Sequence, residues 1–129
     1  MKWDEVKNRL LCKAAEDEAA MTILMAATKA PDDTIGFHAQ QPVEKLLKAL
    51  LCHRHMDYQR THDLAALLDA LADSGLAVPA EVERCRFLQP YAVESRYDDI
   101  PVGQRVPLDR TELQRDVGAV RQWVERMIS

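Results

Sequence analysis

Val43, Leu46, Leu47, Leu50 and Leu51 recur at the 3.6-residue period, while Gln41, Glu44, Lys45, Lys48 and Cys52 fall on the opposite side. A segment patterned this way can bury one face only as an α-helix, because a strand would alternate every second residue. The helix is predicted from about Thr34 to His53. Pro42 sits inside it; beyond the first turn a proline removes a backbone bond and kinks the ladder. Residues 35–41 are therefore expected either as a separate turn or as a bent extension.

The same period runs through the rest of the chain. Val6, Leu10, Ala14, Met21, Leu24 and Met25 predict one long helix over roughly Trp3 to Ala27, ended by Pro31. His55 to His62 is polar and reads as a connector. Leu64, Leu67, Leu68 and Leu71 define a short third helix, with Thr61 or Asp63 as N-cap and Ser74-Gly75 as its stop. Pro79 suits the first turn of a fourth helix through Val82, Cys85 and Leu88; Pro90 then bends the chain, with another turn or two expected from Tyr91 to Arg96. Residues 98–108, with two prolines and a glycine, read as a loop. Asp109 and Glu112 form a capping box for a last helix whose stripe is Leu113, Val117, Val120, Val124 and Met127. Nothing alternates like a strand. The expectation is an all-α, up-and-down bundle of four to five helices in one domain spanning residues 1–129.

Composition narrows the class further. Apolar residues make up 47% and charged residues 29% of 129, which suits a folded globular chain. The net charge of −4 offers no global attraction for nucleic acid, so any such role needs a local cationic patch. Three widely spaced cysteines (Cys12, Cys52, Cys85) read as idle or buried thiols rather than a disulfide framework. No apolar run is long enough to span a bilayer and no signal peptide is visible, so a cytoplasmic protein without membrane contact is expected.

Gln41, Glu44, Lys45 and Lys48 stand at i, i+3, i+4 and i+7 and make one polar stripe. Two readings are open. The stripe is either a solvated face with a Glu44–Lys48 pair, or it lines a groove where the lysines meet phosphate and Gln41 and Glu44 meet polar edges. His62 can bond a neighbouring backbone group or work as acid and base near neutral pH. Arg96 and Tyr97 either brace the segment after helix four or hold phosphate and stack. The cluster Cys52-His53-Arg54-His55, with His62 nearby, tempts a metal assignment. Consecutive helix residues point apart, however, and no Cys-x-x-Cys pair is present, so neither metal nor cofactor is expected.

The stretch Ile35-Gly36-Phe37-His38-Ala39-Gln40-Gln41-Pro42-Val43-Glu44-Lys45-Leu46-Leu47-Lys48-Ala49-Leu50 resembles the signature segment of the HEPN family. Arg60-Thr61-His62-Asp63-Leu64 and Tyr91-Ala92-Val93-Glu94-Ser95-Arg96-Tyr97-Asp98 are similar to two further family segments, in the family's order. The resemblance covers nearly the whole chain. It implies a helical bundle, frequent homodimerisation, and links to nucleotides or RNA. Many members are encoded beside a minimal nucleotidyltransferase as a toxin–antitoxin pair, and others are metal-independent ribonucleases. The implied ligand-binding set is Gln41, Glu44, Lys45, Lys48, His62, Arg96 and Tyr97.

The ribonuclease branch carries an arginine followed, after four to six residues, by a histidine. Here Arg54 adjoins His55 and is separated from His62 by seven intervening residues, Arg60 lies two positions before His62, and no histidine follows Arg96. A ligand-binding module is thus expected ahead of a nuclease. In the nuclease alternative, His62 and Arg96 are the catalytic candidates, with Arg54 or Arg60 able to take the arginine's place. A purely structural protein-interaction module is the third possibility.

Overall fold

A computed structural model describes residues 2–58, 61–92 and 108–129. They form α1 (Trp3–Met25), α2 (Asp32–His53), α3 (Leu64–Asp73), a short α4 (Ala80–Glu83) that runs on into a 3₁₀ segment (Arg84–Tyr91), and α5 (Arg110–Ile128). No strand occurs among the described residues.

α2 is the central element, touching α1, α3, the 3₁₀ segment and α5. Its apolar face places Val43, Leu46, Leu47, Leu50 and Leu51 in the core, as the period requires. Neighbours on several sides explain two departures in this helix: Asp32–His53 is continuous through Pro42, which is itself buried, and Cys52, expected on the polar side, is buried as well. The backbone bond lost at Pro42 is outweighed by side-chain packing around nearly the whole circumference. α1 lies antiparallel along α2, so Trp3 meets His55 at one end and Asp17 reaches Lys45 further along. Only Ala14 and Met21 of α1 are fully buried.

α2 and α3 end in the same way. Met56 N–H donates to Leu51 O (2.9 Å) and His55 N–H to Cys52 O (3.0 Å); after α3, Leu76 N–H donates to Leu71 O (3.3 Å) and Gly75 N–H to Ala72 O (3.0 Å). Both are Schellman stops, which place one residue in the left-handed region. Gly75 takes it with φ 100°, and His55 with φ 56°. α3 starts at Asp63, whose carboxylate accepts from Ala66 N–H, and α5 starts at Asp109, which accepts from Glu112 N–H.

The expected fourth helix is instead one α-helical turn followed by a 3₁₀ run. Val82, Cys85, Leu88 and Tyr91 are all buried and spaced by three, which matches the 3.0-residue turn of a 3₁₀ helix better than 3.6. Pro90 works in the same direction, since in an α-helix its ring would meet the carbonyl four residues back. Tyr91 then packs so closely on α2 that a Cβ built on Gly36 would lie 2.2 Å from its ring. In α5 the stripe differs at its end. Met127 is exposed, whereas Trp123 and the charged Asp116 are buried; Asp116 accepts from Arg84 at 3.1 Å. No described helix is long and apolar enough to cross a membrane.

Candidate functional site

The polar stripe of α2 is neither a bathed surface nor an open groove. Glu44 is 4% exposed and Gln40 fully buried, while Gln41, Lys45 and Lys48 are half-buried. The stripe faces α1 and the entry to α3, so its groups must satisfy one another rather than rely on water. Gln40 Nε2 donates to Glu44 Oε1 (3.0 Å) and to the His62 carbonyl (3.3 Å), and Gln41 Nε2 donates to Gln40 Oε1 (2.7 Å). Lys45 donates to Gln41 Oε1 (3.2 Å) and pairs closely with Asp17 of α1. Lys48 pairs with Glu44 Oε2 at 3.1 Å. The chain of contacts thus runs from α1 across α2 to the connector before α3.

His62 closes that chain. Its Nδ1 lies 2.8 Å from Glu44 Oε1, and its side chain is 61% exposed against 5% for Glu44. An ionised carboxylate only accepts, so Nδ1 carries the hydrogen in this contact and Nε2 of the neutral ring is left as an acceptor. A buried, fully engaged carboxylate holding an exposed imidazole in one orientation can position a proton donor or acceptor at the surface.

Beyond Lys48 lies a second, aromatic branch. Lys48 Nζ sits 5.5 Å above the Tyr58 ring, and Cys52 Sγ is 4.0 Å from the Tyr58 hydroxyl. Burial, followed by the neighbouring Cys52 and Glu44, pushes the Tyr58 hydroxyl up to about 12. Burial also raises the Cys52 thiol, partly opposed by its hydrogen bond with Tyr58. Both groups stay protonated near neutral pH, so Cys52 does not offer a thiolate nucleophile.

Of the seven residues singled out from the sequence, Gln41, Glu44, Lys45, Lys48 and His62 belong to one contiguous network. Arg96 and Tyr97 lie outside the described residues, as does Arg60. The reading of the stripe changes in one respect: both ammonium groups already face internal carboxylates, so neither is an open phosphate anchor. Gln40, Asp17 and Tyr58 went unnoticed in the sequence. Gln40 was findable, being four residues before Glu44 on the same helix, whereas Asp17 and Tyr58 arrive only through tertiary packing. Among the described residues no group of three or more His, Cys, Asp or Glu side chains is arranged to hold a metal ion. A shallow depression at the C-terminal end of α5, lined by Gln122, Glu125, Arg126 and Ser129, shares no residue with the network.

Among curated proteins and among solved structures, no significant match to the chain is found. A match to the family model of the HEPN domain runs from residue 8 to residue 127, nearly the whole chain, and the protein belongs to that family.

Proposed function

We propose that this HEPN domain is a nucleotide- or RNA-binding module, a single domain over residues 1–129 that works in the cytoplasm as a homodimer beside a minimal nucleotidyltransferase partner in a toxin–antitoxin-type pair. The observation that supports it is the Glu44–His62 contact. A carboxylate taken out of water and saturated with three donors is an expensive way to hold one exposed imidazole, and stability alone is better served by apolar packing there. In this reading His62 meets the ligand directly, Lys48 and Glu44 hold it in place, and Gln41 and Lys45 keep the stripe rigid. Arg96 and Tyr97 join as ligand contacts from the segment after the 3₁₀ run.

Calorimetric titration of nucleotides and short RNAs into wild type and His62→Ala tests the proposal. His62 is an exposed side chain, so its truncation leaves the core intact. Binding by wild type and a clear loss in His62→Ala is the expected result; equal binding by both proteins, or none by either, removes the reading.

An endoribonuclease is a second reading, favoured by one feature: Nε2 of an imidazole fixed by a carboxylate is a competent general base. Labelled RNA incubated with the protein in chelator separates the two, since cleavage lost in His62→Ala makes the site catalytic.

A further inference from the structure

A helix stop of the Schellman type ordinarily places glycine at its left-handed position, as Gly75 does after α3. After α2 the same position holds His55, a side chain that carries a conformational penalty there. Its ring is not idle. It stacks in parallel on Trp3 of α1, with centroids 5.4 Å apart and planes 6° from parallel, and the residue is exposed. Arg54, next to it, is also exposed; its guanidinium donates to the Ser74 carbonyl and is paired with no carboxylate among the described residues. Lys45 and Lys48 are neutralised from within, so among the described residues Arg54 is a cation that this end of α2 presents to solvent without a carboxylate partner. His62 follows on the same connector, seven positions after His55.

We propose that His55, backed by Trp3 and flanked by Arg54, is a nucleobase-stacking subsite for single-stranded RNA, on the connector that also carries His62. The inference rests on the RNA-binding reading above and specifies its ligand. A base adds as a third layer on the outward face of the imidazole, and the adjoining phosphate meets the Arg54 guanidinium. Two parallel, offset rings form a platform, and stacking of this kind tolerates any base because each has a π-face. A lone nucleotide could fill only one of the two places, so a strand is the fitting ligand.

The test compares a short oligoadenylate with an abasic oligomer of equal length and charge, bound to wild type, His55→Gly, Trp3→Ala and His62→Ala. Wild type is expected to prefer the base-bearing strand by roughly ten- to a hundredfold, the span of one base–aromatic stack. His55→Gly and Trp3→Ala should erase that preference, and His62→Ala should weaken both strands while keeping it. His55→Gly guards against a folding artefact, because glycine suits the backbone there and its melting temperature should not fall. Unchanged preference in His55→Gly and Trp3→Ala, with binding still sensitive to His62, overturns the stacking subsite and spares the binding reading. A lowered melting temperature in His55→Gly with unaltered RNA affinity also overturns it, by making the ring a brace between α1 and α2. Failure of wild type to bind either strand takes down both proposals.

Discussion

Replacing Glu44 by glutamine keeps the shape of the side chain and removes only its charge and one acceptor end. Glu44 Oε1 accepts from Gln40 and His62, and Oε2 accepts from Lys48. An amide can satisfy one of these ends. With its oxygen toward Gln40 and His62, its NH2 group faces the Lys48 ammonium, donor against donor; turned round, it faces two donors instead. The first arrangement is the milder one and leaves Lys48, whose side chain is 13% exposed, without an anion. Breaking a fully buried pair costs about 3–5 kcal/mol, and losing a hydrogen bond to a charged group about 1.5–3 kcal/mol. The long Lys48 stem can shift its head toward water, which places the loss near the lower figure, about 2 kcal/mol. For a chain of this length that is a fall of roughly 6–10 °C in melting temperature. Thermal and urea denaturation followed by helical circular dichroism reads it directly. The double variant Glu44→Gln/Lys48→Met should recover much of the loss, since no ammonium is then stranded. A Glu44→Gln protein melting with wild type, together with a double variant that is merely additive, would refute the idea of an internal, mutually dependent network.

Gly36→Ala sets helix propensity, a gain of about 1 kcal/mol, against a Cβ that would stand 2.2–2.6 Å from three atoms of the Tyr91 ring. Overpacking of a rigid ring costs about 1–3 kcal/mol or more, so a net loss is expected in urea melts, and a neutral or stabilised variant would contradict the close approach. Of the three thiols, exposed Cys12 should react at once with a disulfide reagent, whereas buried Cys52 and Cys85, the latter with its thiol pushed up to about 12 by burial, should react only on unfolding. Three fast thiols would contradict the burial. Tyr58 is raised from 10 to about 12, so between those values the unfolded chain gives up a proton that the folded one keeps. Its contribution is whole below pH 10 and disappears as the pH climbs through about 12; Tyr58→Phe should flatten that part of the alkaline stability curve, and an unchanged slope would argue against it.

The fold was readable where one physical signal spoke alone. The leucines of α2, the caps Asp63 and Asp109, and Gly75 each report a local preference that tertiary structure respects. Pro42 misled because its penalty is local and its compensation comes from the helices around α2. The fourth helix misled differently: the three-residue spacing of Val82, Cys85, Leu88 and Tyr91 was in plain view, but a search for 3.6 passes over a period of 3.0. For the site, periodicity grouped Gln41, Glu44, Lys45 and Lys48 correctly and even suggested the Glu44–Lys48 pair. It could not say that α1 covers them, because the covering carboxylate, Asp17, lies on another helix and carries no local mark. Lys45→Ala, harmless on an open face, removes contacts to both Asp17 and Gln41 here. His62 was legible as a candidate; its tether to Glu44 was not, since the two lie eighteen positions apart across a connector.

The buried edge along the narrow screw between Arg84 and Tyr91 makes this stretch intolerant of length changes. Adding or deleting a single residue turns everything downstream by about a third of a revolution, swinging the buried edge toward solvent. Deleting three restores the edge but draws the segment back by about 6 Å, so the Tyr91 ring would no longer arrive over the bare backbone of Gly36. Among HEPN domains, a chain that spaces these apolar positions in threes should therefore keep the number of residues between α4 and the ring, and pair that ring with a glycine on its central helix.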